Sequence, residues 1–130
     1  MAERLLVDGM NVIGSRPDGW WRDRPAAVRA LVAALREYAE RTGARITVVF
    51  DGAPTTLPPA GDVTVGFATS RGRGAADDEI VRLVQRAAEP AGITVVTSDG
   101  PLRARAHALG ASVTPAGALR RRLDAAAPRL

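Results

Sequence analysis

With 130 residues, 46% of them hydrophobic, and a net charge of +4, the chain has the length of one compact domain, expected over 1–130, with little room for a second. Cysteine is absent and all 18 basic residues are Arg. Disulfides, thiolate zinc sites, cysteine nucleophiles, Walker-type phosphate loops and Schiff-base lysines are therefore excluded.

Leu5-Leu6-Val7-Asp8-Gly9 reads as a buried strand that delivers a carboxylate at its C-terminal end. Gly14 to Gly19 is a loop by its turn residues, and it leads into Trp20-Trp21 with Arg16, Arg22 and Arg24 nearby. Two adjacent tryptophans cannot both face inward in regular structure. Capping of the core is the plainer expectation, and stacking of one ring on a base is the alternative.

From Pro25 the apolar residues Val28, Leu31, Val32, Leu35 and Ala39 recur at helical spacing until Gly43. Arg45 to Phe50 is nearly continuous Val and Ile, as a central parallel strand would be. A helix between two such strands makes a right-handed βαβ unit. Ala53 to Asp62 is an irregular Pro/Gly-rich connection, Val63 to Phe67 a short strand, and Thr69 to Gly74 a loop in which Arg71 and Arg73 are candidate phosphate contacts.

Ala75 to Glu89 is the second clear helix, stopped by Pro90 to Gly92. A strand over Ile93 to Thr97, a helix from Pro101 to Leu109, a short strand at Ala111 to Val113 and a closing helix over Ala116 to Ala126 follow. Arg120, Arg121 and Arg122 on that last helix are expected to form a solvated face. Alternating strands and helices predict an α/β fold of three layers, with a mostly parallel sheet of four or five strands. No apolar run approaches the roughly 18 residues of a membrane span, and no leader precedes the first strand, so a soluble cytoplasmic protein without membrane partners is expected.

Asp8, Asp51 and Asp99 end or follow three of these strands, and parallel strands present such ends on one edge of a sheet. Asp77, at the start of a helix that follows a strand, belongs to the same edge. It precedes Ile80 and Val84 by three and seven residues and so shares their inward stripe, whereas Asp78 is turned about 100° further round, toward the periphery. Singly, each acid has an ordinary explanation in a turn or at the positive end of a helix. Together they repel one another unless a cation sits between them, and oxygen-only donors point to Mg²⁺ or Mn²⁺. A hard divalent ion held this way polarises phosphoryl oxygens and activates water. Asn11 is a candidate to orient phosphate or water, and Ser98 to contact the same cluster or cap the helix after Asp99. His107, the one histidine, lies in a helix away from this edge and is read as a surface or packing residue.

Val7-Asp8-Gly9-Met10-Asn11-Val12-Ile13, Phe50-Asp51-Gly52, Ala76-Asp77-Asp78-Glu79-Ile80 and Val96-Thr97-Ser98-Asp99 resemble, in order and context, the NYN branch of the PIN-like domains, especially the YacP-like ribonucleases. The resemblance runs from Leu5 to about Val113. It implies a PIN-like fold and Mg²⁺- or Mn²⁺-dependent endoribonuclease activity, with Asp8, Asp77 and Asp99 as the central metal-binding acids, Asp51 and Asp78 as further acids of the site, and Asn11 as their polar companion. RNA, messenger or ribosome-bound, is then the expected partner, with Arg16, Arg71, Arg73 and Ser98 as contacts. The rival expectation is a non-catalytic RNA-binding or ribosome-associated module of the same fold. Other strand-end acid chemistries fit less well: a phosphoaspartyl phosphatase wants a second Asp where Met10 stands, a receiver domain wants a Lys, and a dinucleotide fold wants Gly-x-Gly-x-x-Gly after the first strand.

Overall fold

The computed structural model describes residues 2–69 and 74–126. Five parallel strands, β1 (Arg4–Asp8), β2 (Arg45–Asp51), β3 (Thr64–Ala68), β4 (Ile93–Val96) and β5 (Ser112–Thr114), lie in the order β3-β2-β1-β4-β5. Five helices accompany them: α1 (Gly9–Gly14), α2 (Arg24–Thr42), α3 (Ala75–Arg86), α4 (Gly100–Ala108) and α5 (Ala116–Ala126). Among the described residues, no helix is long and apolar enough to cross a membrane.

The alternation of side chains along each strand decides the layering. Leu5, Val7, Ile46, Val48 and Phe50 point to one face and pack against α1, α2 and α5 through Val12, Val28, Leu31, Leu35 and Leu119. Leu6, Val49, Ile93 and Val95 point to the other, against Ile80 and Val84 of α3 and Leu102 and Ala106 of α4. The expected three-layer parallel sheet is therefore what forms, with five strands. From β1 the chain first moves outward through β2 and β3, then crosses back to β4 and β5 on the other side. That reversal opens a crevice between the C-terminal ends of β1 and β4, the place where open α/β sheets take their ligands.

Several local expectations shift. Gly9 to Ile13, to which no element was assigned, forms the short α1 directly after β1. Helix α3 stops at Arg86 rather than Glu89, because Ala87 turns to an extended conformation (φ −70, ψ 137). The irregular connection expected over Ala53 to Asp62 does form, and its Leu57 and Ala60 lie against the α2 side of the core. Arg120 is not part of a solvated face. Its guanidinium is tucked against α1, with Nη2 donating to the Val12 carbonyl at 3.4 Å, and burial beside Arg16 lowers its pKa.

Gly9 is required by close packing. A Cβ there would overlap the ring of Phe50, which is fully buried and stacked on Phe67 at 5.5 Å. Gly9→Ala is expected to cost about 1–3 kcal/mol, the usual range for overpacking a filled core. Urea denaturation measures it, and Phe50→Leu in the same chain should return part of the loss; equal stability of Gly9→Ala and the parent would show that the ring yields freely.

Candidate functional site

Asp8 ends β1 and begins α1, so its carboxylate stands at the crevice floor. The residue is 5% exposed, and its Oδ2 accepts the Thr97 hydroxyl at 2.9 Å. Burial pushes its pKa up to about 6, the Thr97 bond pulls the other way, and the charges of Asp77 and Asp51 raise it further. Thr97 is itself wholly buried and its Oγ1 accepts the Asp99 N–H at 3.1 Å. A relay of hydrogen bonds thus runs from the β4 end to the β1 end.

Asp77 lies in the first turn of α3, half-buried, as its place on the Ile80/Val84 stripe predicts. Its pKa is raised by burial and by Asp99, Asp51 and Asp78, against the opposing charge of Arg105. Asp78 is peripheral: its side chain is 74% exposed and accepts from Arg105 Nη1 at 3.1 Å. Asp51 has a local duty, its Oδ1 accepting the Ala76 N–H at 2.9 Å and so fixing the start of α3 on the end of β2. Asp99 caps α4, with Oδ2 accepting from Leu102 N at 3.0 Å. Asp77 is therefore within electrostatic reach of Asp8, Asp51 and Asp99, and Asp8 of Asp51. Among the described residues, however, no three His, Cys, Asp or Glu side chains are placed to hold one ion together.

Asn11 is drawn into the crevice wall, where its Oδ1 accepts the Ser98 N–H at 2.7 Å and ties α1 to the β4 loop. Ser98 caps a helix, but a different one from that expected: its Oγ accepts Ala116 N at 2.9 Å, at the start of α5. Arg16 is paired with Asp124. Arg71 and Arg73 lie outside the described residues. His107 is exposed in the last turn of α4, away from the acids.

Two further contributors, Thr97 and Arg24, carry little signal in the sequence. For Thr97 the one visible sign is a threonine entering a Ser-Asp pair, where a hydroxyl ends the strand. Arg24, in the first turn of α2, donates through Nη2 to the Asp51 carbonyl and lies against Gly52, a contact with no local signature in sequence. A cavity of about 490 Å³ exists at the opposite edge of the sheet, lined by Arg4, Arg45 and Asp62 among others. The acids contribute nothing to it, so the shallow carboxylate edge is the candidate site.

The family model for the YacP-like NYN domain matches residues 5–130. Two crystal structures of Rae1 (YacP) from Bacillus subtilis are similar. A mutant form superposes with a TM-score of 0.78 at 30% identity over 95% of this chain and 76% of that one. The other gives 0.75 at 29% identity over 95% and 75%. No curated protein matches the sequence. The chain belongs to the YacP-like NYN domain family, within the PIN-like nucleases.

Proposed function

We propose that the protein is a Mg²⁺- or Mn²⁺-dependent endoribonuclease of the cytoplasm, hydrolysing RNA phosphodiester bonds at the carboxylate edge. Membership of a nuclease family supports this reading, and one observation carries it. Asp8 and Asp77 are held where burial and neighbouring acids penalise their ionisation, and for Asp8 the Thr97 hydrogen bond does not offset that penalty. Stability alone would favour a neutral side chain at both positions, and groups strained in this way concentrate at functional sites.

A hard cation fits the donor chemistry. Every donor is oxygen, and Mg²⁺ commonly takes one or two carboxylates together with water and substrate phosphate, so a three-acid cage is not required. Asp8 and Asp77 would hold it, with Asp99 and Asp51 adjoining and Asp78 outermost. When bound, such an ion would neutralise charge on the non-bridging oxygens of the phosphate whose phosphorus is attacked.

The chain's own groups supply the rest. Thr97 orients the Asp8 carboxylate through its hydroxyl. Asn11 holds the β4 loop in place through Ser98 N. Arg24 and Arg105 bring positive charge to a phosphate entering among acids. Arg16, Arg71, Arg73 and Ser98 supply RNA contacts. Attack by water on phosphorus with loss of the 3′ oxygen leaves a 5′-phosphate and a 3′-hydroxyl.

A module that binds RNA without cutting it is the second reading. The observation favouring it is that Asp51 and Asp99 each already accept a backbone N–H, with no three acids gathered about one point among the described residues. End-labelled RNA incubated with Mn²⁺ separates the two. Cleavage that stops in EDTA is expected, and retention of intact RNA on the protein in Mn²⁺ would select the binding module.

A further inference from the structure

We infer that Trp21 is a stacking platform for an unpaired base of RNA beside the carboxylate edge, which makes the protein selective for single strands; the inference rests on the ribonuclease reading above. A single turn of 3-10 helix at Trp20–Arg22 joins α1 to α2. Gly19, in the left-handed region (φ 79), enters it, and Asp18 Oδ1 accepts the Trp20 N–H at 3.2 Å. The turn divides the two rings. Trp20 packs against the core, while Trp21 is 58% exposed, the one large hydrophobic side chain so exposed among the described residues.

The exposed ring is braced. Trp20 meets it nearly perpendicularly, with centroids 6.0 Å apart and an interplanar angle of 87°, and the Arg22 guanidinium lies 5.9 Å from its centroid. Both contacts limit its rotation, so little freedom remains to be lost when a planar ligand arrives. At 58% exposure a broad part of the ring stays open to solvent.

Position and charge name the ligand. Arg24, three residues on, reaches from α2 to the Asp51 carbonyl, which puts this turn on the side of the sheet where the acids gather. The segment's acids are directed at backbone N–H groups: Asp18 at Trp20 and Asp23 at Ala26, with Asp23 Oδ1 3.1 Å from the Ala26 nitrogen. The ring surface left open to solvent, with the Arg22 guanidinium over the ring and Arg24 on the same segment reaching toward Asp51, suits a base and its phosphates. A duplex hides its base faces, so only an unpaired nucleotide can use the platform.

The test uses the full chain carrying Asp8→Asn, so that RNA stays intact, and Trp20→Phe, so that Trp21 alone fluoresces. The probe is a ten-nucleotide single-stranded RNA of mixed sequence, end-labelled for anisotropy, with its duplex as comparison. Tryptophan fluorescence should be quenched as the single strand binds and should not change with the duplex. Trp21→Ala should weaken single-strand binding about tenfold, and Trp21→Phe by less than about threefold. Trp21 is exposed, so Trp21→Ala should fold normally, which circular dichroism checks. Parental affinity in Trp21→Ala, fluorescence unmoved at saturation, or no RNA binding at all would overturn the inference. If quenching and the Trp21 dependence hold but the chain with intact Asp8 leaves RNA uncut in Mn²⁺, the platform stands and the ribonuclease reading falls. If that chain cuts RNA and Trp21→Ala leaves KM unchanged, the platform alone falls.

Discussion

Replacing Asp8 by Asn is expected to reduce RNA cleavage more than about a thousandfold, the scale of several kcal/mol of lost transition-state stabilisation, while making the metal-free protein more stable at pH 8. The two effects have one origin. The Asp8 carboxyl titrates at about 6 instead of 3.8, first because it is buried and then because Asp77 and Asp51 face it. The folded chain therefore holds this proton more tightly than the unfolded chain does. Below about pH 4 both states are protonated and Asp8 costs nothing; between about pH 4 and 6 the unfolded chain releases the proton while the folded chain keeps it, so stability falls across that window and levels off above it.

The full cost is on the order of 3 kcal/mol, at about 1.36 kcal/mol per pKa unit. Asn is neutral throughout and can still accept the Thr97 hydroxyl, so Asp8→Asn should recover about 1–3 kcal/mol at pH 8, several degrees of Tm for a domain of this size. Denaturation in EDTA at pH 8 and pH 4 measures this, and the gain should vanish at the lower pH. Mn²⁺ should stabilise the parent and leave Asp8→Asn nearly unchanged, since only a state that binds the ion benefits from it. A less stable Asp8→Asn at pH 8 would mean that the carboxylate is held by favourable contacts and is not strained.

Asp77→Asn and Asp78→Asn should differ by more than about thirtyfold in cleavage rate although the residues are adjacent. Asp77 is half-buried among Asp8, Asp51 and Asp99, and its loss should lower activity roughly a hundredfold or more. Asp78 points outward to Arg105 with most of its side chain in water. An exposed pair of this kind contributes under about 1 kcal/mol, so Asp78→Asn should leave stability unchanged and activity within about threefold. Single-turnover cleavage of one labelled RNA by both variants decides it. Equal losses would show that the helix face does not separate the two acids.

The layered architecture was legible because it follows from local pattern. Nearly continuous Leu, Val and Ile in β1, β2 and β4 demand burial on both faces, and the three- and four-residue spacing in α2 and α3 demands one apolar side. The shared edge was legible for the same reason, since parallel strands bring their C-terminal residues together wherever they lie in sequence. The inward turn of Asp77 and the outward turn of Asp78 needed only the helical repeat. Less local features were hidden. The six-residue α1 is too short to show periodicity, and Trp20 and Trp21 have the same sequence surroundings, so only the path from Gly19 decides which ring meets the core.

By itself, then, the sequence determined the parallel sheet, the four longer helices and the family to which their motifs belong, because each depends on neighbours a few residues apart. Tertiary structure alone decided how each polar group is used: that Thr97 holds Asp8 across 89 positions, that Asp51 and Asp99 also serve the starts of α3 and α4, that Ser98 caps α5, and that Arg120 is drawn inward beneath α1. Such contacts join segments distant along the chain, and their energy depends on burial and on the neighbouring charges, which exist only once the sheet has assembled.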